Sequence, residues 1–159
     1  MKKTALFLLT LTLLFSACSS TPKPKKKQTI YKLHKKNFVT TALYHEYEKW
    51  AGVQYCYGGD NANGIDCSAL VQMIYKEAFN IELPTTTKKQ LQVGKSIPKS
   101  KLKKGDILFF RTSYRVLHSG IYLERGNFIH TSSKQGVILS NIHNPYWRAK
   151  YYTARRVLY

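Results

Sequence analysis

The chain has 159 residues, 43% of them hydrophobic and 13% aromatic, which suffices for one packed domain and excludes wholesale disorder. With 26 basic and 8 acidic residues its formal net charge is +18, so it should attract polyanions: nucleic acid, anionic lipid or an acidic cell-wall polymer. Composition therefore predicts a single, strongly basic domain.

The first residues predict export. Two lysines precede the apolar run TALFLLTLTLLFSA, which is typical of a secretory signal and too short to span a bilayer. Small residues lead directly to Cys18, which resembles the lipobox of bacterial lipoproteins and implies removal of residues 1–17 and diacylation of Cys18. An ordinary signal peptide with an incidental Cys18 is the alternative. By the same resemblance, Ser19 implies the periplasmic side of the outer membrane, where nucleic acid is not an expected partner.

Residues 18–36 predict an extended, lysine-rich tether between the lipid and a domain covering residues 37–159. The stretch SSTPKPKKKQTIYKLHKK has seven lysines, two prolines and no acidic residue, so it cannot bury apolar surface. Its charge either holds it against anionic lipid or phosphate or simply keeps it solvated, and both interpretations stay open.

Two helices are predicted in the first half of the domain. Apolar residues at helical spacing begin at Phe38 and continue to Trp50, and Gly52 is placed to end that helix. After a glycine-rich turn, Asp66 is a natural N-cap for a second helix. Its apolar stripe consists of Cys67, Leu70, Val71, Ile74, Tyr75 and Ala78. A further short helix is expected in LPTTTKKQLQVG.

The second half of the domain predicts an antiparallel sheet. Short β-branched and aromatic runs are separated by glycines and polar turns, and they read GDILFF, HSGIYL, NFIHTS, GVILSNI and YTARRVLY. Helices followed by strands predict an α+β domain, with the N-terminal helices packed on one face of the sheet.

Cys67 is a candidate nucleophile because it begins a helix. Unpaired N–H groups and the positive end of the helix dipole favour a thiolate there, and the same N–H groups suit an oxyanion. A buried structural cysteine is the alternative. A thiolate also needs a base, and His118 and His130 lie at matched places in adjacent predicted strands. His143 is a reserve candidate, whereas His34 and His45 suit solvated or capping roles.

Five sequence blocks carry a family resemblance. GIDCSALV, LKKGDILFF, HSGIYL, NFIHTSSKQGVILS and NPYWRAKYYTARRVL together resemble the NlpC-type cell-wall peptidases, the bacterial branch of the papain-like cysteine peptidases. The resemblance extends in order from Trp50 to Leu158 and includes the lipobox. It implies a papain-like fold, no cofactor and peptidoglycan as the partner. Oligomeric state stays open, with a monomer the simplest expectation.

The resemblance also implies a role for each matching residue. Cys67 matches the nucleophile, His118 the general base, and His130 the polar residue that orients this base. Tyr55 matches a tyrosine that assists oxyanion binding. Two residues flanking the nucleophile match those that contact the amino and carboxyl groups of the stem peptide, and these are Asp66 and Ser68.

Departures from the family pattern remove no reacting group. Ala69 stands where the family usually has Gly, and Ser119 where it usually has Val. Cys56 occupies a commonly polar position, where it is either an inert thiol or one that forms an inhibitory disulfide with Cys67. A zinc site built from Cys67, His118 and His130 lacks the short ligand pairs that preform such sites, so we expect no metal.

The resemblance implies a lipid-anchored endopeptidase that cuts amide bonds of peptidoglycan during cell-wall remodelling. The bond is left open between the diaminopimelate–D-Ala cross-link and the γ-D-Glu–diaminopimelate bond within one stem. A non-catalytic peptidoglycan-binding lipoprotein and a basic scaffold between membrane and wall are alternatives.

The loop between HSGIYL and NFIHTS decides which faces the histidines occupy, because side chains alternate along a strand. A two-residue turn at Arg125-Gly126 would separate His118 and His130. An odd-length loop or bulge would put them on one face. We therefore predict an odd-length loop or a bulge here, with Gly126 at positive φ and both imidazoles facing the N-terminus of the Cys67 helix. Such loops favour a type I turn followed by a left-handed residue.

Overall fold

The first helix extends further towards the N-terminus than the sequence predicts. The computed structural model describes residues 25–159, with side chains from Phe38 onward, so the signal peptide and Cys18 lie outside the described residues. Helix α1 covers Lys25–Trp50, and the first of its described side chains to pack into the core is Val39. An extended tether is therefore the wrong prediction for residues 25–36. No proline occurs in residues 25–50, and Lys, Gln and Leu propagate a helix well once packing has nucleated its other end.

Helix α2 has clear signals at both ends. It covers Cys67–Phe79 and follows two short strands, β1 (Asp60–Asn61) and β2 (Gly64–Ile65), that pair as a hairpin. Asp66 caps it by accepting a hydrogen bond from the Ala69 N–H at 2.7 Å. Asn80 ends it in the left-handed conformation with φ 53°. The predicted short helix is confirmed as α3 (Thr87–Gln90).

One antiparallel sheet of six strands forms the other layer, and every predicted strand is confirmed. Their order is β3-β8-β4-β5-β6-β7, so β8, the last of these strands in chain order, lies inside the sheet and not at its edge. Within residues 25–159, the elements that were not predicted are the β1–β2 hairpin, the short edge strand β3, a 3-10 helix at Lys99–Lys101 and helix α4. The ranges are β3 Lys95–Ile97, β4 Ile107–Ser113, β5 Val116–Tyr122, β6 Asn127–Ser132, β7 Gly136–Asn141, α4 Pro145–Lys150 and β8 Tyr151–Arg156.

The sheet has an apolar cluster on each face. On one face α1 and α2 cover the main core, which includes Leu70, Ile74, Phe109, Ile121 and Ile129. On the other face α4 covers a smaller cluster, which includes Leu108, Phe110, Phe128 and Trp147. Alternation along each strand therefore assigns successive residues to different clusters. The α+β prediction is confirmed, but the sheet is covered on both faces instead of one.

His118 and His130 share one face of the sheet, as predicted. Ile121 pairs with Ile129, and both are fully buried in the main core. His118 and His130 differ from these residues by an odd number of positions, so both project from the opposite face. That face carries the smaller aromatic cluster.

The turn between β5 and β6 reaches the predicted register by a different conformation. Gly126 has φ 86°, as expected, but Arg125 also has a positive φ of 53°. Two successive positive φ values, with the Asn127 N–H donating to the Glu124 carbonyl, are typical of a type I′ turn. The predicted bulge with Gly126 at positive φ is confirmed, but a type I′ turn stands in place of the type I turn that such loops favour. The Leu123 N–H also donates to the Asn127 carbonyl, so Leu123 and Glu124 together face Asn127 and form the bulge that sets the register.

None of the helices within residues 25–159 is long and apolar enough to cross a membrane.

Candidate active site

The N-terminus of α2 lies between two diverging strands. Paired residues of β5 and β6 occur only near their turn. Beyond it, Ser119 of β5 donates a hydrogen bond to the Cys67 carbonyl at 3.3 Å, and Thr131 of β6 donates one to the Asp66 carbonyl at 3.5 Å. Both hydroxyls are buried. These two hydrogen bonds, one from each strand, therefore fix the start of α2 and position Cys67 beside His118.

The Cys67 thiol is partly buried and has polar neighbours that stabilise a thiolate. Its sulfur lies 3.6 Å from the Thr87 hydroxyl oxygen at the start of α3. Burial raises the pKa of the thiol, but a hydrogen bond and the positive charge of His118, together with Ser119 and Thr87, outweigh it and lower the pKa of Cys67 to about 7. In a large fraction of the molecules, Cys67 is therefore a thiolate near neutral pH.

His118 connects the thiol to a second histidine. Its Nε2 lies 3.1 Å from Nδ1 of His130, so Nδ1 is the His118 nitrogen that remains for the thiol. His130 is 2% exposed. Burial, and then the charge of His118, lower the pKa of His130 to about 3, against the opposite effect of the Thr131 backbone. His130 is therefore neutral near pH 7, and its other nitrogen, Nε2, lies 2.9 Å from the Ser140 hydroxyl.

Aromatic rings fix the two imidazoles in place. Trp147 of α4 stacks on His118 with 5.5 Å between ring centroids and meets His130 edge-on at 4.8 Å. Phe128 stacks on the other side of His130 at 4.9 Å. Such contacts hold the rings in one orientation and keep water away from them, and an indole face also favours a positively charged imidazole.

The two residues that flank Cys67 form the N-terminal cap of α2. The Ser68 hydroxyl donates to Asp66 at 2.9 Å, and the same carboxylate oxygen accepts from Ala69. Leu70 N–H is bonded to the Asp66 carbonyl. Among residues 38–159, the N–H groups of Cys67 and Ser68 have no acceptor, so the positive end of α2 retains two donors for an oxyanion.

Tyr55 lies at the same end of the groove as this cap. It forms a bridge with Ile65, directly before Asp66, and lines the groove with Cys67. Burial raises the pKa of Tyr55, and the negative charges of Cys67 and Asp66 raise it further. The phenol therefore keeps its proton and can donate a hydrogen bond.

The site opens into a groove of about 980 Å³. Its walls come from α2, α3 and the turns that follow β4 and β6. Three cations lie on these walls, Lys88, Arg115 and Lys134, together with the exposed rings of Tyr57 and Tyr146. The shape and charge suit an extended polar chain that carries carboxylates.

Comparison with known sequences identifies the family. A model of the NlpC/P60 family matches residues 52–156. The chain belongs to the NlpC/P60 family.

Curated relatives agree with the family match. The chain is 42% identical over 120 residues to the murein DD-endopeptidase MepS/murein LD-carboxypeptidase of Escherichia coli K12, with 76% of this chain and 64% of that protein covered. It is 43% identical over 117 residues to a probable endopeptidase NlpC homolog of Haemophilus influenzae, with 74% and 62% covered. The chain thus spans less than two thirds of the length of these relatives. The predicted resemblance is confirmed.

Solved structures show the same NlpC/P60 fold. A family protein of Bacillus cereus superposes with a TM-score of 0.68 at 27% identity, and the match covers 76% of this chain and 40% of that one. The predicted fold is therefore confirmed.

This NlpC/P60 domain brings together Cys67, His118 and His130, with Tyr55, Asp66 and Ser68 beside them. His45 and His143 are exposed and stand apart, and the His34 side chain lies outside the described residues. Cys56 is exposed and forms no disulfide. Within residues 38–159, no group of three or more His, Cys, Asp or Glu side chains is arranged to hold a metal ion.

The site residues that sequence reasoning missed include Thr87, Ser140 and Trp147. Thr87 follows an N-cap threonine in a polar run, and Ser140 lies in a strand whose pairing partner was not assigned. Trp147 follows Asn144-Pro145, an N-cap with proline at the first helical position. That signal was present in the sequence and predicts α4, but it does not predict that Trp147 covers the histidines.

Proposed function

We propose that this chain is a cysteine endopeptidase that hydrolyses amide bonds in peptidoglycan stem peptides or their cross-links. The observation that carries the proposal is the Cys67 thiol, which lies at a helix N-terminus in an open groove that His118 also lines, and whose pKa His118 lowers. Cys67 is the proposed nucleophile, His118 the general base and acid, and His130 the residue that orients His118.

In the proposed acylation step, the Cys67 thiolate attacks the amide carbonyl carbon and a C–S bond forms. Negative charge moves to the carbonyl oxygen, where the N–H groups of Cys67 and Ser68 and the Tyr55 phenol donate hydrogen bonds. His118 gives its proton to the amide nitrogen, the C–N bond breaks, and the amine leaves. A thioester on Cys67 remains.

In the proposed deacylation step, His118 takes a proton from water and the water oxygen attacks the thioester carbon. The tetrahedral intermediate collapses, the C–S bond breaks, and the Cys67 thiolate departs. The carboxylic acid product leaves, and the proton retained on His118 restores the starting ion pair.

The relatives support peptidoglycan as the substrate class, because the 42% identical E. coli protein is named a murein DD-endopeptidase. The groove supports it independently, since its three cations, Arg115, Lys88 and Lys134, outnumber its two carboxylates and can attract the free carboxylates of stem peptides. We propose the diaminopimelate–D-Ala cross-link as the bond that is cut.

Digestion of purified sacculi tests this function. The wild-type protein and a Cys56→Ala variant should release soluble fragments, because Cys56 is not part of the proposed triad. Cys67→Ala should release at least about 10³-fold less. Mass analysis of the fragments distinguishes a cut cross-link from a cut within one stem. Equal release by wild type and Cys67→Ala would refute the proposal, and sacculus binding without release by the wild type would favour the non-catalytic alternative.

We further propose that Cys18 is diacylated and anchors the protein to the periplasmic side of the outer membrane. The lipobox-like sequence LFSAC before Ser19 supports this proposal. Cells that express the full chain and are fed labelled palmitate should yield a labelled, membrane-associated protein, and Cys18→Ser should lose both the label and the membrane association. Label retained by Cys18→Ser would exclude this lipidation site.

A further inference from the structure

Ser140 extends the histidine pair by one more hydrogen bond. It lies on β7 opposite Phe128, while His130 pairs with Ile138, so Ser140 is the diagonal neighbour of His130 on the same face of the sheet. Its hydroxyl oxygen lies 2.9 Å from His130 Nε2. Ser140 is partly buried and does not line the groove.

We propose that Ser140 is a positioning residue for the proposed reaction, and that its hydroxyl oxygen accepts the Nε2 proton of His130. This inference rests on the proposed function, because it concerns how His130 orients the base. It assigns one tautomer to His130, with the proton on Nε2 and a lone pair on Nδ1.

The assignment follows from what His118 must do. To receive the thiol proton on Nδ1, neutral His118 must carry its own proton on Nε2. That N–H points at His130 Nδ1, 3.1 Å away, which must therefore be an acceptor. A neutral His130 has one proton, so the proton lies on Nε2 and Ser140 must accept it.

The opposite direction of hydrogen bonding would disable the base. If the Ser140 hydroxyl donated to Nε2, His130 would carry its proton on Nδ1 and donate it to His118 Nε2. His118 would then hold its own proton on Nδ1, facing the thiol, and would have no lone pair there to receive the thiol proton. The interaction with Ser140 thus decides whether the pair can act as a base.

Kinetics of matched serine variants test the role. Ser140→Ala should lower kcat on a soluble cross-linked stem peptide by about tenfold, the size expected from one lost neutral hydrogen bond, with KM unchanged because Ser140 does not line the groove. Ser140→Thr keeps the hydroxyl and should restore most of kcat. The matched control is Ser96→Ala, on the exposed edge strand β3, which should match wild type.

The tautomer itself provides a readout that does not depend on cleavage. Long-range ¹⁵N–¹H correlation spectra of the histidine rings should show His130 protonated on Nε2 in the wild type and in Ser140→Thr, and as a mixture of tautomers in Ser140→Ala. Wild-type His130 protonated on Nδ1, or a Ser140→Ala protein with unchanged tautomer and kcat, would overturn the inference. Since the spectra need no turnover, a wild type that fails to cleave refutes the proposed function and leaves the tautomer result to decide the role of Ser140.

Discussion

Replacing His118 with Ala is expected to lower the rate of stem-peptide cleavage by about 10³-fold or more, because the variant loses both the base and the proton donor for the leaving amine. Folding should be little affected, since His118 lies at the edge of the groove and is only partly buried. Matched His143→Ala, which removes an exposed histidine away from the groove, should retain wild-type activity.

The same substitution should change the titration of the thiol. In a Cys56→Ser background, where Cys67 is the only thiol among residues 38–159, alkylation by iodoacetamide should rise with pH around a midpoint of about 7. Burial alone raises this pKa and His118 lowers it, so His118→Ala should move the midpoint to higher pH. An unchanged midpoint in His118→Ala, or a shifted one in His143→Ala, would contradict the assignment of the base.

Replacing Asp106 with Ala is expected to reduce the free energy of unfolding by about 3–5 kcal/mol, because it removes the buried partner of an ion pair and leaves Arg156, whose side chain is only 17% exposed, without its counter-ion. Asp106 is 1% exposed, and both of its carboxylate oxygens accept hydrogen bonds from Arg156 at 2.7 Å. The Lys103 N–H also donates to it at 2.7 Å. The ion pair joins the start of β4 to the end of β8. Urea denaturation monitored by tryptophan fluorescence measures the change.

Two controls separate the buried charge from a general loss of surface charge. Glu82 pairs with Lys76 on the surface and its side chain is 70% exposed, so Glu82→Ala should cost no more than about 0.5 kcal/mol. The double variant Asp106→Ala with Arg156→Ala should be less destabilised than the sum of the two single variants, because it leaves no unpaired charge. A loss below about 1 kcal/mol for Asp106→Ala alone would show that the pair is not a structural constraint.

The placement of the three central residues could be predicted because it depends on local rules. Asp66 is an N-cap, which places Cys67 at the first turn of α2. Strand alternation, combined with an odd register at Gly126, puts His118 and His130 on one face. The turn type could not be predicted, because a bulge combined with a left-handed Arg125 is one of several conformations that give the same register.

The remaining residues of the site depend on tertiary packing, which sequence patterns do not encode. Ser140 meets His130 only because β7 pairs with β6 in one particular register. Trp147 contacts the histidines only because α4 folds over the sheet face that was expected to be uncovered. The helical conformation of residues 25–36 was not predicted for another reason, because a lysine-rich composition is typical of a solvated segment even where no helix breaker occurs.

The strand order also determines when the sheet can form. Strand β8 lies between β3 and β4, and among the strands of residues 25–159 it is the only partner of β3. A chain that is released N-terminus first and has reached only β7 therefore already includes Cys67 and both histidines, but β3 still has no partner and Asp106 has no Arg156. The complete sheet requires the segment that ends with Arg156, so we expect the catalytic residues to gain their finished scaffold only at the last stage of chain release.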